Sequence, residues 1–462
     1  MKTDNDLSLK KIIERRDPRY DGRFYYGVKT TKIYCRPVCP ARPKPENIVI
    51  LKSTTEAENA GFRPCKRCRP DLAPGTKFFE GTVNTVSRAL RIIDEEKESA
   101  LNIEKLSDTL GVSDRHLRRL FQEHLGASPI EVMISKRLHL AQQLVRETSA
   151  PLSEIALAVG FQSIRRFNEA FKNLYHAPPS AFRKEQSVQD NQIELELMVR
   201  RPFDWKTILE YFARHENYGI ERVTDTSYQR FISFGEKYGS FTITYSPEKS
   251  LLKVKLTNVP IAEIKSLLLR VRRQLDLDHN PEHLPKDKKL KGKGIRIPGA
   301  YDPFEIAVTI ILGQLISTKQ AKAKQKELIL KYGKKIDEEV WAFPTAKDLM
   351  DSEIETIGIT RVKASAIREM ARMYHSGELN LAASADIEKT KAQLHSIHGI
   401  GPWTVELICM RCLGDSDAFP KSDLIINKAL KAHLVNEEAW SSSRAYLTHI
   451  LWRDYATVLS KN

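Results

Sequence analysis

Cysteine is scarce in this sequence, 6 of 462 residues, and what there is lies in clusters. That excludes a disulfide-stapled secreted scaffold and points to a reducing compartment in which thiols serve a metal. Long apolar runs are missing as well. Ile306 to Ile316 is too short to span a membrane and is broken by Gly313 and Gln314. Met1 to Lys10 has no apolar stretch of the signal-peptide kind, so a cytoplasmic, nucleoid-associated bacterial protein without a membrane partner is expected. No long low-complexity tract occurs. Acidic residues are in the minority: 59 Asp and Glu against 74 Lys and Arg, a net charge of +15, which favours a polyanionic partner. At 41 % hydrophobic the chain can build real cores, and its length predicts three or more domains.

The first positive signal is Tyr34-Cys35-Arg36-Pro37-Val38-Cys39 followed by Phe62-Arg63-Pro64-Cys65-Lys66-Arg67-Cys68. One C-x3-C and one C-x2-C pair can place Cys35, Cys39, Cys65 and Cys68 at the corners of a tetrahedron around one Zn²⁺. Spacing alone leaves two uses open: a zinc that replaces a missing core, or a metal-activated thiolate.

Pro70 to Thr76 reads as a linker. From Thr82 to Arg183 apolar residues recur every three or four positions, as in helices. Two helix-turn-helix units stand out. In the first, Gly111 suits the turn and Ser113 the cap of a helix carrying Arg115 and Arg118. In the second, the turn is Gly160-Phe161-Gln162, with Ser163 as cap of a helix carrying Arg165 and Arg166. Second helices of such units enter the major groove, which makes these four arginines candidate DNA contacts. Each could equally be a solvated surface charge.

Lys184 to Gln192 reads as a second linker. Alternation then predicts strands at Phe231–Phe234, Phe241–Tyr245 and Leu251–Leu256, and an amphipathic helix over Ile261–Leu275. Farther on, His398-Gly399-Ile400-Gly401-Pro402-Trp403 is a helix-hairpin-helix pattern. Its two glycines, Gly399 and Gly401, permit a tight turn that aims backbone N–H groups at a DNA phosphate. Asp417 and Asp423, in Asp417-Ala418-Phe419-Pro420-Lys421-Ser422-Asp423, both compete for a catalytic role by sequence.

Three resemblances accompany these motifs. Thr30 to Pro37, Arg42 and Ala60 to Cys68 closely resemble the N-terminal domain of the Ada family of alkylation-response proteins. The resemblance implies that Cys35 accepts the methyl group of a DNA methyl phosphotriester and that Cys39, Cys65 and Cys68 complete its zinc set. It also makes Thr31, Arg36 and Arg42 expected DNA contacts. Methylation would remove one negative charge and so favour DNA binding. Gly160 to Lys172 and Ala177 to Arg183 resemble the AraC-type DNA-binding domain, which implies promoter DNA and RNA polymerase as partners.

Residues from Ile193 to Tyr455 resemble the AlkA-type 3-methyladenine DNA glycosylases. The markers are Arg201 to Trp205, Ile297 to Gly299, Ile311 to Ser317 and the hairpin. The resemblance puts the catalytic aspartate at Asp423, the wedge that fills the gap left by an extruded base at Leu315, and base-pocket aromatics at Trp403 and Trp452. Trp403 stands where lyase-competent relatives have lysine, which implies base excision without strand cleavage. Leu407 and Leu424 replace tyrosines of the pocket. Cys409 and Cys412 read as two reduced thiols. No Pro-Cys-His-Arg stretch occurs, so a second methyltransferase activity is not expected.

The expected fold is multidomain α+β. A small four-cysteine zinc α/β domain spans 1–75, an all-α double helix-turn-helix domain 80–185, an α/β domain 193–290, and a mainly helical helix-hairpin-helix domain 291–462. The leading functional reading is alkylation repair joined to its own transcriptional control. The alternative is a regulator whose glycosylase-like part only binds or senses damaged DNA.

Overall fold

A computed structural model describes residues 2–73, 82–95, 102–183, 192–285, 294–431 and 435–459. Of the expected linkers, 74–76 of the first and 184–191 of the second lie outside the described residues.

Helix α1 (Lys2–Arg15) leads into a four-stranded sheet of β1 (Tyr25–Val28), β2 (Ile33–Cys35), β3 (Ile48–Leu51) and β4 (Arg63–Pro64). The order is β3–β1–β2–β4. β2 runs parallel to β4 and sets Tyr34 beside Pro64, so the residues that come next along the chain, Cys35 and Cys65, emerge side by side. Helix α2 (Thr54–Asn59), capped by Ser53, packs against this sheet. The apolar cluster here is small: Ile13, Phe24, Tyr26, Val28 and Ile48 beside the four cysteines. A second small cluster, Tyr25, Tyr34, Leu51, Ala57 and Phe62, lies beside it, and a metal on the four thiols would add to cores of this size.

The helical part comprises α3 (Thr82–Glu95), α4 (Ile103–Leu110), α5 (Asp114–Leu125), α6 (Pro129–Glu147), α7 (Leu152–Ala158) and α8 (Ile164–Tyr175). Gly111 ends α4 in the left-handed region (φ 69°), and the Ser113 side chain accepts from His116 N–H, as expected of a cap. Ser163 differs: it stands at the start of α8, but its side chain makes no capping bond.

An all-antiparallel sheet follows, ordered β5–β9–β8–β7–β6, from β5 (Gln192–Met198), β6 (Glu221–Val223), β7 (Ser227–Phe234), β8 (Lys237–Ser246) and β9 (Leu251–Thr257). Helices α9 (Trp205–Arg214) and α10 (Ile261–Gln274) cover it. The expected boundary between helical and α/β parts is not a boundary of the core. Leu138, Leu144, Ile155, Phe167 and Phe171 of α6–α8 share one buried cluster with Leu195, Phe241, Val254 and Leu267. The first helix-turn-helix unit has its own cluster, around Val86, Leu117 and Phe121. The second helices of the two units, α5 and α8, therefore sit on different cores.

The remaining helices are α11 (Pro303–Leu312), α12 (Thr318–Tyr332), α13 (Ala346–Leu349), α14 (Arg361–His375), α15 (Ile387–Ser396), α16 (Pro402–Ile408), α17 (Leu424–Lys431) and α18 (Arg444–Leu459). Ile311, Leu328, Ile367, Met370, Val405, Ile408 and Ile450 form their common core. Between the sheet and α11, buried Arg230 is held by Glu221 (2.8 Å) and Glu305, a paired charge at the seam.

Candidate functional site

The sulfurs of Cys35, Cys39, Cys65 and Cys68 all lie within 4.8 Å of one another, and all four residues are buried. Tetrahedral Zn–S bonds of about 2.3 Å require sulfurs about 3.8 Å apart, so the set fits one Zn²⁺. Among the described residues it is the one group of three or more such ligands brought together. Cys68 Sγ accepts from Arg36 N–H at 3.5 Å. Backbone N–H groups of Ala41 and Cys68 face Cys39 and Cys65.

Arg36 is a correction. It was expected at DNA, but it is 6 % exposed. Its guanidinium grips Asp21, donates to Cys68 O (3.0 Å) and touches Met198. Arg200, also buried, donates to Asp21 O at 3.1 Å, so Arg36 is a strut between the zinc part and the α/β part. Thr31 and Arg42 are exposed.

Tyr34, next to Cys35, donates to Glu58 (2.8 Å), whose same oxygen meets His139 Nε2 of α6 at 2.7 Å. Burial opposes a charged His139, but the Glu58 carboxylate outweighs it and raises the pKa. A buried thread thus runs from the cysteine set to the long helix between the two helix-turn-helix units. Of the four arginines, Arg115, Arg118, Arg165 and Arg166 are all exposed. Arg165 pairs with Glu169 (3.1 Å), a solvent-exposed contact that costs little to break.

The second centre is Asp423, at the start of α17. Its Oδ1 accepts from the backbone N–H of Ile425 (3.0 Å) and Ile426 (3.2 Å) and from Trp452 Nε1 (3.1 Å). Its Oδ2 accepts from Trp403 Nε1 (3.2 Å). The structure thus brings to Asp423 two indoles that are 20 and 29 positions away in sequence. Asp417, the competitor, is bound to Arg444 by two bonds, one of 2.8 Å.

Leu315 is the most exposed large apolar side chain described, at 103 %, on a backbone in the left-handed region (φ 58°). A non-glycine residue adopts that conformation at a cost, and such strain concentrates at functional sites. Two residues that sequence reasoning missed hold its loop. Gln314 Nε2 donates to Gly399 O (3.1 Å) and Thr404 Oγ1 (2.8 Å), tying the loop to the hairpin. Lys363 Nζ donates to Leu312 O (3.0 Å) at the end of α11, where helix carbonyls favour a cation. The pattern that could have flagged Gln314 was its place beside Leu315; nothing in the sequence marks Lys363.

Gly399 (φ 92°) must be glycine, since an added Cβ would lie 2.7 Å from Val362 Cγ1. Gly401 begins α16 and is exposed. Leu424 is 68 % exposed, whereas Leu407 is buried. Cys409 and Cys412 are free, buried thiols on a π-helical turn, and burial pushes Cys412 up to about 12.

Behind Trp452, His449 stands edge-on at 5.2 Å. Burial, with Arg411 and His215, lowers His449 to about 3. Burial likewise lowers His215 to about 4. An unfolded histidine protonates near 6.5, so below that pH the unfolded chain takes up protons that these two refuse. Stability is therefore expected to fall between about pH 6.5 and about pH 3. Calorimetric melting at pH 7 and pH 5 measures this, and His449→Gln should make the drop smaller.

Comparison with known proteins decides the family. Over 96 % of its length the chain is 32 % identical to "Probable bifunctional transcriptional activator/DNA repair enzyme AlkA" of Mycobacterium tuberculosis, covering 95 % of that protein. The chain belongs to this family of bifunctional transcriptional activator/DNA repair enzymes. Three family models match in order: the metal binding domain of Ada over residues 8–71, a helix-turn-helix domain over 106–185, and the AlkA N-terminal domain over 194–302.

Two further relatives share parts of the bifunctional chain. "Bifunctional transcriptional activator/DNA repair enzyme AdaA" of Bacillus subtilis is 32 % identical over 39 % of this chain and 83 % of its own. "DNA-3-methyladenine glycosylase 2" of Escherichia coli is 26 % identical over 54 % of this chain and 94 % of its own. The Ada match covers Cys35, Cys39, Cys65 and Cys68, and among the described residues these four form a single zinc site. Among the described residues no helix is long and apolar enough to cross a membrane.

Proposed function

We propose that the chain carries out two repair reactions on alkylated double-stranded DNA and couples one of them to promoter binding. The observation that carries the excision half is the Asp423 carboxylate gripped by the indoles of Trp403 and Trp452. A purine methylated on a ring nitrogen is cationic and a good leaving group, so little acid is needed. The C1′–N bond breaks with its electron pair returning to the base, which leaves neutral. Asp423 stabilises the positive charge that grows on the sugar, then water adds to C1′ and releases a proton. Leu315 fills the gap in the base stack. The alkylated purine is of the 3-methyladenine kind, and no amine stands at Trp403 to cleave the strand.

At the other centre the Cys35 thiolate attacks the methyl carbon of a phosphotriester. An S–C bond forms, the C–O bond breaks, and the phosphodiester leaves as an anion; the transfer occurs once per molecule. Zinc, when bound, keeps the four thiols deprotonated at neutral pH. Arg115, Arg118, Arg165 and Arg166 then hold promoter DNA, with RNA polymerase as the further partner.

The experiment is DNA methylated with radiolabel and mixed with zinc-loaded protein. Label on the protein and label in free base, lost separately in Cys35→Ala and Asp423→Asn, support both halves. Label on protein alone would leave a regulator with a damage-sensing platform. Two finer expectations follow from contacts. Leu315→Ala should lower single-turnover excision about ten-fold by removing the plug, with the melting temperature unchanged. Glu58→Gln should weaken the tie between Tyr34 and His139. Methylated protein should then gain less promoter affinity than wild type in a titration at fixed salt.

A further inference from the structure

The partners of Asp423 are all N–H donors, and they are distributed unevenly. Oδ1 receives three: Ile425 N–H, Ile426 N–H and Trp452 Nε1–H. Oδ2 receives one, Trp403 Nε1–H. Each carboxylate oxygen offers about two lone-pair sites, so Oδ1 is saturated and Oδ2 retains an open one. The two backbone donors fix Asp423 to the first turn of α17, but alone they leave the carboxyl plane free to swing about the Cβ–Cγ bond. The indoles remove that freedom, one at each oxygen.

Trp452 is itself held. It packs on the core formed by the helix-hairpin-helix part, and His449, only 6 % exposed, meets it edge-on. A ring fixed in that way presents its N–H in one direction.

We infer that Trp452 and Trp403 are positioning residues that clamp the Asp423 carboxylate, so that Oδ2 alone faces the sugar. The inference rests on the glycosylase reading above and departs from the expectation that these tryptophans serve as base-pocket walls. A stacking wall acts on binding of the base. A clamp acts on the step in which positive charge develops, because a misaimed oxygen loses its effect there and not in the bound ground state. It also makes Oδ2 the atom that touches the reacting sugar, while Oδ1 belongs to the scaffold.

The test uses full-length protein and duplex DNA carrying methylated purines. Trp452→Phe keeps an aromatic ring and removes the N–H. The expected result is a fall in kcat of about 10- to 100-fold, the range for a lost hydrogen bond to a charged group, with KM changed less than about two-fold. A rise in KM with kcat preserved would overturn the clamp and return Trp452 to the base-pocket wall. Absence of excision by wild type would instead sink the glycosylase reading.

A second measurement holds even where Trp452→Phe fails to fold. The chain has 5 tryptophans, so ¹⁵N-indole spectra are tractable. Asp423→Asn should move the indole N–H signals of both Trp403 and Trp452, with Trp403 moving more, since the new amide can turn a donor toward it. Unmoved signals would show that no such clamp exists in solution.

Discussion

Asp423→Asn is expected to lower base excision about a thousand-fold while the protein still folds, an effect of the size seen when one preorganised electrostatic contact is removed. The fold survives because asparagine caps helices as well as aspartate does. Its side-chain oxygen can keep the bonds from Ile425 and Ile426 that start α17. Catalysis does not survive, for two reasons. The charge that stabilises the cationic sugar is gone, and the amide NH2 now faces the Trp403 N–H, donor against donor. Single-turnover release of methylated purine, read beside a melting curve, measures both. Excision within about ten-fold of wild type, on a protein with unchanged melting, would mean that the carboxylate is structural. Promoter binding and methyl acceptance should stay as they were, because the cysteine set lies in a different core.

Cys35→Ala should abolish methyl acceptance altogether and leave excision intact. The remaining thiols of Cys39, Cys65 and Cys68 can still hold the metal with a solvent ligand, as three-ligand zinc sites do. The loss is therefore of the acceptor, not of the domain. Removal of the metal is a different matter. Because the apolar cluster around the cysteines is small, a chelator should unfold the N-terminal part and free the Arg36–Asp21 and Arg200–Asp21 contacts with it. Mass spectrometry of protein incubated with methylated DNA reads the first outcome: one added methyl in wild type, none in Cys35→Ala. Circular dichroism with chelator reads the second. A Cys35→Ala protein that still gained one methyl would transfer the acceptor role to another thiolate of the set.

The cysteine set was legible in the sequence because its chemistry is written in unusual residues at short spacing, whereas Asp423 was set apart from Asp417 only by a resemblance, since its indole partners stand 20 and 29 positions away. The C-x3-C and C-x2-C pairs need no tertiary knowledge to be read as a zinc set, and they converge as spacing demands. Gly399 is legible for the same kind of reason: only glycine tolerates φ 92° with Val362 pressed against it. Strands β8 and β9 follow from alternation, since Phe241, Ile243, Val254 and Leu256 are buried, whereas in β7 the expected stretch Phe231–Phe234 holds no buried residue and the buried side chains are Tyr228 and Arg230.

The burial of Arg36 was not legible, because its neighbours in sequence say nothing about Asp21 or Met198, which are 15 and 162 positions away. They say as little about Arg200, which shares Asp21 with it. The shared core of α6–α8 and the β5–β9 sheet was invisible for a similar reason: apolar periodicity shows that a face is buried, not against what.

The sequence by itself determined the local chemistry of this bifunctional repair and regulatory protein: which side chains can ligate, attack, cap or turn. Those properties depend on residue type and on neighbours a few bonds away. Only the tertiary structure decided the partnerships: Trp403 and Trp452 on opposite oxygens of Asp423, Gln314 on the hairpin, Glu58 between Tyr34 and His139. Hydrogen bonds act over about 3 Å, and which distant segments come that close is set by how the cores pack, which no local pattern encodes.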